Sequence, residues 1–356
     1  MKTKNVTLLP DSYKHAVPEN LRGMLLEVSY SVGNYINSSR KLVTNQNLLS
    51  EEVGREVAGG EPIVKKCNVY LPAGYELGDS KTKYNVLYLL HGVGGNRFEW
   101  LTSNGETDGR FNICNIFDNL IANGEVEPLI VVFPDGRSAE DWTDTSFNAE
   151  GTNMLGFYYF DYEMRYDLIP FIEANYNTYS DIKDTSEEGI AYNRLHRALG
   201  GLSMGGMQTL NLGLGGHRCD SAAITGDTSA WRNGLTPTTL APGMMDLFAY
   251  AGAFSNAPTS SEGKVLGESV AAMGHRLHLL YITCGDQDGI AFPAGYQKSI
   301  NGLEDAAGDK LGDYYRVVMK DCVHDFEVWN NGAYNFARLA FDNSDSFRIF
   351  DVCLDK

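Results

Sequence analysis

The stretch Leu195-His196-Arg197-Ala198-Leu199-Gly200-Gly201-Leu202-Ser203-Met204-Gly205-Gly206 decides how the rest of the chain is read. It begins as a short apolar run of strand character, ends in glycines, and passes directly into Met207-Gln208-Thr209-Leu210-Asn211-Leu212, which reads as a helix. G-x-S-x-G lies inside it, centred on Ser203. In that strand–turn–helix arrangement the serine sits on a sharp, strained turn that lifts its hydroxyl above a sheet. Glycines two residues to either side let strand and helix approach without a Cβ clash. The five letters are a weak signal by themselves in a chain with 38 glycines, where a plain glycine-rich turn is an equal reading. The elements around the motif decide between the two.

On the N-terminal side, Tyr84–His91 and Pro128–Phe133 are apolar throughout their cores, as strands buried on both faces are. Gly92-Val93-Gly94-Gly95 follows the first of them. Arg22–Val32 and Ile63–Leu71 read as earlier strands, Phe111–Asn123 and Tyr159–Tyr176 as helices, and Arg137–Gly156 as a loop carrying Trp142. On the C-terminal side, Phe248–Phe254, His278–Cys284 and Tyr314–Met319 read as strands. A helix ends near Gly274, Pro293–Ala307 is helical, and a closing helix spans about Trp329–Phe341. With the elbow strand this predicts eight strands in a mostly parallel sheet with helices on both faces. Active groups in such sheets gather at the carboxyl ends of the strands. The glycine loop, Ser203, the pair Asp286 and Asp288, and His324 all fall there.

Composition narrows the function. A hydrophobic content of 43% supports a sizeable core, and the net charge of −17 opposes nucleic acid or an anionic membrane surface as partner. No run approaches the roughly eighteen apolar residues of a membrane span, and Met1–Pro10 lacks the apolar core of a signal peptide. The six cysteines stand singly without zinc spacing, so disulfides and free thiols are equal readings and no metal framework is expected. His275 and His278 precede or enter a buried strand and are not expected to bind metal. The acidic loop Asp141–Glu150 lacks EF-hand spacing.

Y-L-L-H-G-V-G-G, G-G-L-S-M-G-G-M-Q-T-L, A-Y-A-G-A-F-S-N-A-P, I-T-C-G-D-Q-D and H-D-F-E-V-W, in that order, resemble the feruloyl and acetyl-xylan esterases of carbohydrate esterase family one. That family has the α/β-hydrolase fold, and the resemblance covers roughly Ile63–Ala340. Residues 1–60 are then an N-terminal extension contributing a first strand, and 61–356 the catalytic domain. An insert at about 215–246 departs from the family's short connection there. Ser203 is the expected nucleophile and His324 the base, because a serine hydroxyl needs a group that takes its proton near neutral pH. The residues alone leave Asp286 and Asp288 equal as the orienting acid; the resemblance places it at Asp288. It also implies an oxyanion hole from the backbone N–H groups of Met204 and Val93, with His91 ordering the loop.

Trp100, Trp142 and Trp231 lie in loops and are candidates for stacking on an aromatic acyl group or a sugar, or for anchoring the core. Trp142 and, within the insert, Trp231 are the expected substrate contacts, and Trp329 is expected to pack beneath His324. The resemblance implies a serine esterase without cofactor, acting on feruloyl or acetyl esters of plant cell-wall polysaccharide such as acylated xylan. It would be secreted or periplasmic, although the N-terminus fits a cytoplasmic protein equally. An acyltransferase, a small-molecule (thio)esterase and a non-catalytic carbohydrate-binding protein are the competing readings.

Overall fold

The computed structural model describes residues 5–38, 62–76, 81–147, 152–218, 240–342 and 347–355. Nine strands make the main sheet: β1 (Met24–Val32), β2 (Ile63–Leu71), β3 (Asn85–Leu90), β4 (Leu129–Phe133), β5 (Arg197–Leu202), β6 (Tyr250–Phe254), β7 (Leu277–Gly285), β8 (Leu311–Met319) and β9 (Ile349–Leu354). Their spatial order is β1-β2-β4-β3-β5-β6-β7-β8-β9. β1 and β2 pair antiparallel, as do β2 and β4, and every later neighbour is parallel.

The apolar runs are continuous because both faces are covered. In β3, Val86, Tyr88 and Leu90 enter one core cluster while Leu87 and Leu89 enter the opposite one, as a period of two requires. β4 divides in the same way, Ile130 and Val132 against Leu129, Val131 and Phe133. The helices Asn112–Ala122 and Phe326–Leu339 cover the second face, where Phe117, Val328 and Phe336 are fully buried. After β3 the chain pairs first with β4 on one side and then with β5 on the other. This reversal opens a crevice at the carboxyl edge beside β5.

The sheet has nine strands where the sequence predicts eight. β9 lies beyond the closing helix at the sheet edge, and Ile349-Phe350-Asp351-Val352-Cys353-Leu354 is buried fully only at Leu354. It is held by cross-strand pairs instead of burial. Phe350 stacks on Tyr315 at 4.3 Å, and the Arg316 guanidinium grips both oxygens of Asp351 at 2.7 Å. A second difference is the turn Thr152–Phe157, helical although it falls in the expected loop. Of the 215–246 insert, residues 219–239, including Trp231 and Cys219, lie outside the described residues. Its ends are anchored: His217 bridges Leu240, and the fully buried Arg218 forks onto both Asp161 oxygens at 2.8 Å. Among the described residues Cys67, Cys114, Cys284, Cys322 and Cys353 are free thiols, and no helix is long and apolar enough to cross a membrane.

Candidate active site

Ser203 joins β5 to the helix Met204–Leu210 with φ +50° and ψ −111°, a conformation that side chains rarely adopt. The flanking glycines are required by contact. A Cβ on Gly201 would stand 2.5 Å from the Gly205 carbonyl carbon, and one on Gly205 would stand 2.6 Å from the Leu90 oxygen. The elbow is also braced by hydrogen bonds. The Ser203 N–H donates to Phe254 O at 2.9 Å, and the Ser203 carbonyl accepts from Ala257 N at 2.9 Å. Met204 is the first residue of the helix, where backbone N–H groups have no intrahelical acceptor.

Two loops converge on the serine. β8 leads to His324, whose Nε2 lies 3.0 Å from Ser203 Oγ, and β7 leads to Asp288, whose Oδ2 lies 2.7 Å from His324 Nδ1. The other Asp288 oxygen accepts from the N–H groups of Ala291 at 2.8 Å and Ile290 at 3.0 Å, which fixes the carboxylate plane. Burial pushes the Asp288 carboxyl up, but its bonds to His324 and Ala291 outweigh burial and hold it below the usual carboxylate range. Asp286 is used otherwise. Its Oδ1 accepts the Asp321 N–H at 2.8 Å and latches the two loops together. Trp329 meets the His324 ring edge-on, with centroids 5.1 Å apart.

The loop after β3 supplies the opposite wall. The Gly92 carbonyl accepts from His91 Nδ1 at 2.8 Å and from Gly95 N at 3.2 Å. In a trans peptide the N–H points opposite to the C=O, so these two bonds set the direction of the Val93 N–H. His91 is itself fixed, since its Nε2 accepts from Gly136 N at 2.8 Å. That bond assigns the ring proton to Nδ1, the nitrogen facing the Gly92 carbonyl.

A fully buried ion pair that the sequence reading does not single out braces this wall. Lys65 Nζ, 0% exposed, donates to Asp135 O at 2.8 Å, to Arg137 O at 2.7 Å and to Glu163 Oε2 at 2.8 Å. Tyr30 and Ser138 complete the Glu163 carboxylate at 2.7 and 3.0 Å. Burial pushes the Glu163 carboxyl above its usual value, with Lys65 and Tyr30 opposing. The signal was present in the strand alternation, because Lys65 shares the inward face of β2 with Cys67 and Val69. Lys65→Met leaves the carboxylate buried without its partner, an expected loss of about 3–5 kcal/mol. Urea denaturation measures it, and most of the loss should return in Lys65→Met/Glu163→Leu.

Trp100 is a core anchor, 1% exposed with its Nε1–H on Leu90 O at 2.9 Å. Trp142 is half-buried against two cations, Arg97 at 5.7 Å and Lys65 at 5.9 Å, and among the described contacts it makes none with Ser203 or His324.

The family model described as "Putative esterase" matches residues 64–217. The chain is 42% identical over 145 residues to endo-1,4-beta-xylanase Y of Acetivibrio thermocellus, covering 41% of this chain and 11% of that protein. It is 28% identical over 280 residues to an endo-1,4-beta-xylanase/feruloyl esterase of Xylanibacter ruminicola, covering 78% and 29%. The chain thus spans less than a third of the length of these two curated relatives. Among solved structures, a CE1 ferulic acid esterase from Anaeromyces mucronatus in complex with ferulic acid superposes with a TM-score of 0.60 at 21% identity, covering 96% and 98% of the two chains. A feruloyl esterase module from Clostridium thermocellum in complex with sinapinate gives 0.58 at 24% identity over 97% and 96%. The solved structures show an α/β-hydrolase fold, and the sequence matches are to esterases: over residues 64–217 the chain is similar to the putative esterase family, and its relatives include a protein named as a feruloyl esterase.

Proposed function

We propose that the chain is a serine carboxylic ester hydrolase that removes feruloyl or acetyl groups from xylan-type polysaccharide. The observation that carries the reading is the unbroken chain of hydrogen bonds from Ser203 Oγ through His324 to Asp288 at the carboxyl edge of the sheet. In this reading His324 Nε2 takes the Ser203 proton as Oγ attacks the ester carbonyl. The oxygen that becomes anionic is met by the N–H groups of Val93 and Met204. His324 then returns the proton to the leaving sugar hydroxyl, leaving an acyl-enzyme. Water, activated by the same imidazole, releases the acid and frees Ser203.

The acyl and sugar preferences rest on the relatives, one carrying xylanase and feruloyl esterase activities in its name and one solved with ferulic acid. A polymer of that kind is met outside the cell, which favours a secreted or periplasmic site of action. A hydrolysis panel tests the proposal: methyl ferulate, a feruloylated arabinoxylan fragment, acetylated xylan and an activated aryl acetate. Release of ferulate or acetate from the polysaccharide fragments at a higher kcat/KM than from the simple esters is the expected result. Turnover confined to the aryl acetate would remove the polysaccharide assignment, and no turnover at all would remove the hydrolase.

A further inference from the structure

Gly92 is gripped from two sides. Its carbonyl is held by His91 and Gly95, and its N–H donates to Glu99 Oε2 at 2.6 Å. A carboxylate is the strongest acceptor a backbone N–H meets in a protein. The loop is also shaped around that carboxylate. A Cβ on Gly95 would stand 2.1 Å from Glu99 Oε2 and 2.5 Å from its Cδ, and one on Gly92 would stand 3.5 Å from the same oxygen.

The backbone carrying Glu99 is anchored to the end of β3. Its N–H donates to Asn96 O at 2.9 Å, and the neighbouring Trp100 indole donates to Leu90 O. Arg137 holds the far side of the loop through the Gly95 carbonyl, while its Nη1 stays on Asp135 at 2.8 Å. The Gly92 N–H is thus spent on Glu99 and the Gly95 N–H on the Gly92 carbonyl, and the donor that the proposed mechanism takes from this loop is the Val93 N–H.

We propose that Glu99 is a positioning residue for turnover, holding the His91–Gly95 loop in the shape that aims the Val93 N–H at the carbonyl attacked by Ser203. The inference rests on the hydrolase reading of Ser203 and Val93. Glu99 touches no reacting atom. It acts through the peptide on the N-terminal side of Gly92, as His91 acts through the peptide on the C-terminal side. What matters is an acceptor at the Glu99 position, so an amide oxygen there should serve as well as a carboxylate.

The test compares Glu99→Ala, Glu99→Gln, Gly95→Ala and Gly95→Ala/Glu99→Ala on an activated aryl acetate and methyl ferulate. A misplaced donor of this kind costs about 10- to 100-fold in turnover. Glu99→Ala should therefore lose about that much kcat with KM within roughly threefold, and Glu99→Gln should stay within roughly threefold of wild type. Gly95 lies outside the left-handed region, and the three atoms nearest an added Cβ all belong to the movable Glu99 carboxylate. Gly95→Ala should fold, push Glu99 off Gly92 and reproduce the loss, and the double variant should be no worse than either single one. An arylboronic acid, which forms a tetrahedral anion on the serine, should bind Glu99→Ala more weakly in proportion to kcat, while ferulic acid binds as before.

Unchanged kcat in Glu99→Ala and Gly95→Ala would overturn the proposal. So would a loss shared equally by boronate and ferulate, or a Glu99→Gln variant as impaired as Glu99→Ala. The Gly92 amide proton resonance, shifted downfield by a carboxylate acceptor, gives a readout independent of turnover. Its loss in Glu99→Ala and Gly95→Ala is expected even if the ester panel were to remove the hydrolase reading. An unmoved resonance would remove Glu99 alone.

Discussion

Ser203→Ala should leave the sheet intact and lower ester turnover by about 10⁴- to 10⁶-fold, because groups that act as a unit fail together. His324 Nε2 has Ser203 Oγ at 3.0 Å as its partner, so without that oxygen the imidazole has no nucleophile to deprotonate. On the proposed mechanism, what should remain is catalysis by the Val93 and Met204 donors and by binding, typically about 10³-fold over water. The strain at the elbow gives a second readout. Ala keeps the unfavourable φ of +50°, whereas Ser203→Gly relieves it. Ser203→Gly should therefore gain about 1 kcal/mol in urea unfolding while its turnover falls as far as that of Ser203→Ala. Initial rates on the aryl acetate decide the matter, with folding followed by circular dichroism. A folded variant retaining more than about a tenth of the wild-type rate removes Ser203 as nucleophile.

What could be read from the sequence followed the strength of the physical signal. β3 and β4 are buried on both faces, so their apolar runs were unbroken and their ends were marked by Gly92 and Pro134. The elbow was legible because only glycine fits at Gly201 and Gly205, which leaves a pattern in the letters. β9 leaves two of its six positions, Asp351 and Cys353, exposed and owes its place to pairs with β8, which no single window contains. The same holds for Lys65 with Glu163, 98 residues apart, and for Glu99, whose partner is a backbone N–H. Asp286 and Asp288 differ by two positions in one turn, and their roles depend on loops that only the folded sheet brings together.

Asp288→Asn is expected to cost about 10⁴-fold in kcat, roughly 5 kcal/mol of barrier, and Asp286→Asn only a few-fold. In Asp288 one oxygen is already committed to the Ala291 and Ile290 N–H groups. An asparagine would keep its carbonyl oxygen there and turn its NH₂ toward His324. Nδ1 would then have to accept a hydrogen bond, which moves the ring proton to Nε2, where it blocks removal of the Ser203 proton. At position 286 the same change leaves a carbonyl oxygen able to accept the Asp321 N–H, so the latch survives. Stability gives an independent check. The folded Asp288 carboxyl lies below its ordinary value of about 3.9, so its contribution is complete above that pH and is lost as pH falls through the folded value. The stability gap between wild type and Asp288→Asn should therefore be widest near neutral pH and close in strong acid. If Asp286→Asn were instead the crippled variant, with Asp288→Asn near wild type, the acid would belong to the loop latch and the hydrogen bond from His324 to Asp288 would have no catalytic role.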